Sequence, residues 1–109
     1  MPSIARKITK FTQKEIDYLF AHARRILKNT SCLILSCPRQ LDFARVLIVI
    51  SKNVGNAPER NLLRRRIKSI FYEEKLFETP CDYAIILYKP VKELSFDALK
   101  TMITHVIHQ

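Results

Sequence analysis

The sequence predicts an α+β fold in which three helices pack on one small sheet as a two-layer sandwich. Three segments carry apolar residues at helical spacing, and others are short runs rich in β-branched residues, which favour strands. The 109 residues fit one domain, and 48% of them are apolar, enough for a single core. One glycine in the whole chain argues against an all-β protein with many tight turns. We predict the order α-β-β-β-α-β-α in a single domain spanning residues 1–109.

The first predicted helix follows a basic segment, residues 1–11, which we expect to be a flexible or loosely packed arm. Thr12 and Glu15 have the spacing of a capping box, in which each side chain accepts a hydrogen bond from the other residue's backbone N–H. Apolar residues then recur every three or four positions to about residue 23, as on one face of a helix. These residues are Ile16, Leu19, Phe20 and Ala23.

Two apolar runs before the middle of the chain predict strands. Residues 31–38 form the first run, which Pro38 ends. Residues 43–52 form the second, which contains a continuous apolar run over 46–50, rich in β-branched residues and without alternating polar ones. A strand without a polar face is typical of a sheet's centre, so we predict that 43–52 is a central strand.

The longest predicted helix begins after the only glycine, Gly55, which we expect to supply a backbone conformation that other residues resist. Asn56 is its predicted N-cap, with Pro58 in the first turn and Glu59 at the third helical position. The helix should continue to about Lys75.

The C-terminal third predicts one more strand and one more helix. Residues 82–88 are a further apolar run, which ends near Pro90. Ser95 is the predicted cap of the last helix, whose apolar residues again have helical spacing. They are Phe96, Leu99, Ile103, Val106 and Ile107.

Positive charge is concentrated in two blocks of the chain. The net charge is +9, with +5 over residues 1–28 and +4 over residues 52–75, whereas residues 76–109 carry −1. Concentrated basic blocks favour a polyanionic partner, such as a nucleic acid, over a merely soluble basic protein.

Much of the second basic block lies on the longest helix. On a helical wheel, Leu63, Ile67, Ile70 and Phe71 form the stripe that should face the core. Asn61, Arg64, Arg65 and Lys68 occupy another arc. Arg60 lies at the helix start, on the edge of the core-facing arc, and Arg66 lies on the far side. No acidic residue lies between residues 60 and 68, so the free protein gains little from this arrangement and a phosphate backbone would stabilise it. A plain solvated face and a membrane- or calmodulin-type helix are the weaker alternatives, the latter because the core needs the apolar stripe.

Cysteines and histidines give no pattern of a metal or catalytic site. Cys32, Cys37 and Cys81 include no C-x-x-C pair, and we expect buried thiols rather than a zinc site or disulfides. His105 and His108 are three residues apart without an evident third ligand. No apolar run approaches the length of a membrane span and no signal peptide is evident, so we expect a reducing, cytoplasmic protein with no membrane partner.

Residues 51–68 resemble the signature of the bacterial ribonuclease P protein component. They match that family's pattern of a strand end, a glycine and then a basic helix, in the same order and spacing. The matching residues are Ser51, Lys52, Gly55, Ala57, Arg60, Asn61, Arg64 and Arg65. Arg45-Val46 and Asp82-Tyr83 resemble the starts of two of the family's strands, and the likeness extends over roughly residues 6–107.

The resemblance implies the protein subunit of a ribonucleoprotein endonuclease that removes the 5′ leader of precursor tRNA. It implies that RNA and Mg²⁺ carry the chemistry, without catalytic or metal-binding side chains and without an organic cofactor. Lys52, Arg60, Asn61, Arg64, Arg65 and Lys68 would bind the catalytic RNA. A cleft containing Ile16, Phe20 and Ile34 would hold the leader. The resemblance also implies an unusual left-handed strand-helix-strand crossover, and no protein partner is evident.

Two other functions remain open from the residues alone. A noncatalytic protein that binds structured RNA, of the ribosomal or chaperone type, would carry the same charge. An autonomous protein nuclease is disfavoured, since no Ser/His/Asp, Cys/His or paired-carboxylate arrangement is apparent.

Overall fold

A computed structural model describes residues 4–108 of the chain. The helices are α1 (Ile4–Lys7), α2 (Gln13–His22), α3 (Ala57–Glu73) and α4 (Phe96–Ile107). The strands are β1 (Arg24–Lys28), β2 (Cys32–Pro38), β3 (Val46–Ile50) and β4 (Cys81–Leu87). Apart from the single turn of α1, the order is the predicted α-β-β-β-α-β-α. We propose that these residues form one domain, because all four strands share one sheet.

The sheet has the strand order β1-β2-β4-β3. β2 pairs antiparallel with β1 and with β4, whereas β3 runs parallel to β4 and is joined to it through α3. β3 is therefore an edge strand, and the prediction that residues 43–52 lie at the sheet's centre is wrong. The run is apolar for another reason: side chains on both faces of β3 pack against the protein. Val49 is the most exposed residue of the strand, at 38%. The handedness of the β3-α3-β4 crossover stays a prediction.

One face of the sheet carries the main core. Ile34 of β2, Ile85 of β4 and Ile48 of β3 are aligned across the strands on this face. The helices α3 and α4 cover it with the apolar stripes predicted from their spacing, and the buried residues of these stripes confirm that prediction. They are Leu63, Ile67, Ile70 and Phe71 of α3 and Leu99, Ile103 and Ile107 of α4.

The other face of the sheet is only partly covered, by α2. Leu19 of α2 is fully buried against Cys37 and Ala84. The capping box predicted for this helix is present: Glu15 N donates to Thr12 Oγ1 at 3.2 Å, and Thr12 N donates to Glu15 Oε1 at 2.8 Å. α2 therefore shields one end of this face and leaves the other end open.

Part of the N-terminal segment is packed, where a flexible or loosely packed arm was predicted. Residues 1–3 lie outside the described part of the chain, but Ile8 is fully buried in the main core. Its carbonyl accepts a hydrogen bond of 2.7 Å from Val46 N on the outer edge of β3. An edge strand presents unpaired backbone groups, and residues 8–10 cover part of that edge. The basic composition of this segment did not reveal this role.

A buried ion pair joins the N-terminal segment to the sheet. The side chains of Arg45 and Asp82 are each 1% exposed, and Arg45 Nη2 lies 3.3 Å from Asp82 Oδ2. Arg45 Nη1 also contacts Glu15 Oε1 at 2.9 Å and donates to Lys10 O at 3.0 Å. Its guanidinium lies over the Phe11 ring, 4.2 Å from the centroid. Arg45 thus holds α2 and the preceding turn against the starts of β3 and β4.

The two carboxyl groups around Arg45 respond to opposite influences. Burial raises the pKa of Asp82 above its usual range, although the hydrogen bonds and charge of Arg45 act against this. The pKa of Glu15 is lowered, first by the hydrogen bond from the Thr12 backbone and then by Arg45. The two pKa values shift in opposite directions because Asp82 is buried, whereas Glu15 keeps contact with solvent.

Candidate RNA interface

Helix α3 begins with the predicted cap. Glu59 N donates to Asn56 Oδ1 at 2.9 Å, and Asn56 N donates to Glu59 Oε1 at 2.9 Å. Pro58 occupies the first turn, where its missing N–H costs nothing. Lys92 Nζ lies 3.3 Å from Glu59 Oε2, and the pKa of Glu59 is lowered, mainly by the Asn56 N–H. These contacts fix the start of the helix and hence the position of every cation on it.

Gly55 leaves space for the Glu59 side chain, and its backbone conformation does not call for a glycine. Its φ of 167° and ψ of −171° are extended values that any residue adopts, so the predicted reason for a glycine is wrong. A Cβ at this position would overlap Glu59 Oε1 and approach Glu59 Cδ to 3.0 Å. The glycine therefore makes room for the carboxylate that caps α3.

We expect Gly55→Ala to lower the thermal midpoint of unfolding by a few degrees, because the new methyl group displaces the capping carboxylate. In a Glu59→Ala background the same change should be neutral or slightly stabilising, since alanine narrows the unfolded ensemble. Thermal unfolding of the four proteins in this double-mutant cycle measures the coupling. Equal effects in both backgrounds would show that the glycine serves another purpose.

The side chains predicted to bind RNA, five cations and Asn61, share the solvent-facing side of α3 and the turn before it. Asn61, Arg64, Arg65 and Lys52 are exposed, and Arg60 and Lys68 are partly exposed. Arg60 Nη1 donates to Gly55 O at 3.2 Å, and Arg64 Nη1 donates to Asn61 Oδ1 at 3.1 Å. Within residues 4–108, no carboxylate oxygen lies within 4 Å of these five cations. Their positive charge is therefore uncompensated.

A cavity of about 370 Å³ lies between this helix and the edge strand β3. Arg64, Arg65 and Lys68 line its helical side, and Leu47 and Ile48 of β3 line the other. Thr9 of the N-terminal segment completes it, a residue that no pattern in the sequence had indicated. Phosphate-binding side chains and apolar surface for a base or sugar thus meet in one place.

The open part of the second sheet face forms an apolar groove. Leu33, Ile86 and Val49 lie side by side on β2, β4 and β3, with Val49 38% exposed. Leu35, Ala84 and Leu47 form the neighbouring row, which Leu19 of α2 partly covers. We call these two rows the sheet groove.

Of the three predicted cleft residues, two belong to α2 beside the sheet groove. Ile16 is partly buried, and Phe20 is 44% exposed on the flank of the helix, about 100° around from Leu19. Ile34 is wrong as a cleft residue: it is fully buried on the core face, because neighbouring residues of a strand point to opposite faces. Leu33 and Leu35 occupy the groove instead, and the alternation in 32–36 could have revealed this only once the core side was known.

The described residues hold no cluster suited to metal binding. Within residues 4–108, no three side chains of the His, Cys, Asp and Glu types come together as metal ligands would. Cys32 and Cys37 are buried free thiols, and burial raises the pKa of Cys32 to about 11. Nor is any helix in 4–108 long and apolar enough to cross a membrane.

Comparisons with known proteins agree with this geometry. The family model described as Ribonuclease P matches residues 6–109. The ribonuclease P protein component of Streptococcus agalactiae is 28% identical over 96 residues, 88% of this chain and 87% of that protein. The Bacillus pumilus protein of the same name is 38% identical over 77 residues, 69% of this chain and 63% of its own length. The RNase P protein of Staphylococcus aureus superimposes with a TM-score of 0.79 at 22% identity, covering 93% of each chain.

Proposed function

The chain belongs to the ribonuclease P protein family, and from this premise we propose which of its surfaces meets which RNA. Members of this family are protein subunits of ribonuclease P, an endoribonuclease that processes tRNA. Helix α3 binds the catalytic RNA, and the sheet groove holds the 5′ leader of precursor tRNA. The reaction is hydrolytic removal of that leader to give the mature 5′ end.

The uncompensated charge of α3 carries this proposal. Arg60, Arg64 and Arg65 are fixed at the helix start by the capping box, without carboxylates to neutralise them. Guanidinium groups suit a phosphate backbone, because their planar fork can donate two hydrogen bonds to one phosphate. Asn61 and Lys68 extend the surface along the helix, and Lys52 extends it before the first turn.

The sheet groove is suited to a single strand rather than to a duplex. Its floor is apolar and partly open, and Phe20 on its helical wall offers an aromatic ring for stacking. Bases of a single strand stack on such surfaces without a sequence requirement. Leu33, Ile86 and Val49 therefore replace Ile34 as the proposed leader-binding residues of the sheet, beside Ile16 and Phe20 of α2.

The chemistry is assigned to the RNA subunit and its Mg²⁺ ions. The protein's own carboxylates do not fit a metal site within residues 4–108, so we derive no metal-dependent step from its side chains. Its contribution is to hold two RNA molecules in register, which is a positioning role. We propose a cytoplasmic location, with the catalytic RNA and precursor tRNA as partners and no organic cofactor.

A reconstitution experiment tests the function as a whole. Adding the protein to its cognate catalytic RNA at low Mg²⁺ should stimulate removal of the precursor tRNA leader. Absence of stimulation, together with equal affinity for unrelated structured RNAs, would indicate the alternative of a noncatalytic RNA-binding protein. Cleavage by the protein without RNA would revive an autonomous nuclease.

Substitution in the sheet groove tests the leader site separately. Val49→Asp puts a carboxylate on the open row, and we expect about tenfold weaker binding of precursor tRNA with a long leader, within the range of one lost base contact. Binding of a substrate with a one-nucleotide leader should not change. Ala98→Asp is the matched control, because it places the same charge on the exposed side of α4, beyond the opposite face of the sheet. An equal loss for both leader lengths would contradict the proposal.

A further inference from the structure

A β-bulge in β1 places two cations on the same face of the sheet. Arg25 is paired with Leu35 and Lys28 with Leu33, while the register between β1 and β2 shifts between Arg25 and Leu27. Residues three apart in a regular strand point to opposite faces. Ile26 is the extra residue of the bulge and shifts the alternation by one position. Arg25 and Lys28 therefore both lie on the groove side of the sheet.

The burial of the strand supports this assignment of faces. Ile26 and Leu27 both pack against the main core, whereas Arg25 and Lys28 are exposed. The β1–β2 turn fixes the register that produces this pattern: Asn29 Oδ1 accepts hydrogen bonds of 2.8 Å from Ser31 N and 2.9 Å from Cys32 N. The two cations are therefore held at one edge of the sheet groove.

Each cation extends one row of the groove. The open row is Lys28, Leu33, Ile86 and Val49, and the row under α2 is Arg25, Leu35, Ala84 and Leu47. Four strands at a spacing of ~4.8 Å make each row about 14 Å wide. Leu47 at the far end lines the cavity with Arg64, Arg65 and Lys68. The apolar floor thus has cations at both edges, one set from β1 and the other from α3.

The β1 cations are also uncompensated. Within the part of the chain that the structure describes, no carboxylate oxygen lies within 4 Å of Arg25 or Lys28. Exposed cations that flank an apolar floor are complementary to a single-stranded nucleic acid, whose phosphates need charge and whose bases need apolar surface.

We propose that Arg25 and Lys28 form a second phosphate-binding edge of the sheet groove, so that the leader crosses all four strands from the α3 side to β1. This inference rests on the proposed leader site and extends it to β1, a strand to which no residues were assigned from the sequence. The occupant is the phosphate backbone of single-stranded RNA, and the bulge at Ile26 is the feature that creates the site.

The neighbouring Arg24 provides a control on the same strand, with one charge removed instead of two. It is an exposed cation on the same strand, but it is paired with Ser36 and lies on the α4 side of the sheet. Arg25→Ala with Lys28→Ala should therefore weaken leader binding, whereas Arg24→Ala should not, although both change the charge of one short segment.

The experiment measures binding of the reconstituted holoenzyme to precursor tRNA with a long or a one-nucleotide leader, over a range of salt concentrations. For the long leader, the double variant should lower the salt slope by about 1.4 and the affinity about 25-fold at 0.1 M salt, as for two lost single-strand phosphate contacts. The short-leader substrate should bind equally well to all variants.

The outcomes separate this inference from the proposed function. Unchanged long-leader binding in the double variant, with Val49→Asp still defective, would overturn the β1 edge and leave the leader site intact. If the wild-type holoenzyme bound long- and short-leader substrates with equal affinity, the proposed leader site would be contradicted, and the β1 edge with it. Equal losses of log affinity per charge removed, one charge in Arg24→Ala and two in the double variant, would indicate a general charge effect and would also overturn the β1 edge.

Discussion

Reversing two charges on α3, with Arg64→Glu and Arg65→Glu, is expected to weaken binding of the catalytic RNA by about 100-fold or more at 0.1 M salt. Each phosphate contact contributes about 0.9 of a decade through counterion release at that concentration, and the new carboxylates would add repulsion. Both side chains are exposed, and neither has a carboxylate within 4 Å among residues 4–108, so the folded protein should not be destabilised. Filter binding or fluorescence anisotropy over a salt series measures the effect.

The single variant Arg65→Ala should also weaken binding of the catalytic RNA, but by less than the double reversal. It should lower the salt slope by about one, as expected for one lost phosphate contact. A reversal of the exposed cations Lys75 and Lys89 to Glu is the control, because it changes the net charge by the same amount away from the proposed surface. If the control weakened binding as much as the α3 variant, net charge rather than a defined interface would explain the affinity.

Removing one partner of the buried ion pair should have the largest effect on stability. Asp82→Ala leaves the Arg45 guanidinium 1% exposed without its deepest counter-charge, and we expect a loss of about 3–5 kcal/mol in the free energy of unfolding. Such a loss is a large fraction of the total stability of a small domain. Urea unfolding monitored by circular dichroism provides the measurement.

The double replacement Arg45→Met with Asp82→Leu distinguishes an unpaired charge from lost packing. Removing both charges leaves no ion buried alone, so the double variant should be more stable than Asp82→Ala. It should also lose the contacts of Arg45 to Glu15 and to Lys10 O, which loosens α2 against the sheet. A double variant less stable than Asp82→Ala would mean that the hydrogen bonds of Arg45, not the pairing of charge, hold this region together.

Features that depend on a few neighbouring residues were predictable from the sequence. The caps at Thr12, Asn56 and Ser95 are all present, because a cap needs only one side chain and the next turn of backbone. The apolar stripe of α3 and its opposed cations follow from a period of ~3.6 residues, which is a property of the helix itself. These local rules were enough to predict the fold class and the position of the basic helix.

Features that depend on what lies across the sheet were not predictable in this way. Ile34 was assigned to the wrong face, because alternation along a strand does not say which face meets the core. The predicted order includes three strands before the long helix, but no residues were assigned to β1, because its bulge breaks the alternation and its cations resemble a loop. The central position predicted for residues 43–52 failed because an apolar edge strand can be covered by segments distant in sequence, in this case residue 8.

The sequence by itself therefore determined the class of the fold, the basic helix and, through the signature around Gly55 to Arg65, the family. Only the tertiary structure decided the shape of the candidate RNA surface: which sheet face is open, that Thr9 joins Arg64 and Arg65 at one cavity, and that Arg25 and Lys28 share a face with Leu33. The physical reason is the range of the interactions. Helix caps and helical periodicity act within about one turn, whereas strand register, bulges and edge protection are set by partners that lie far away along the chain.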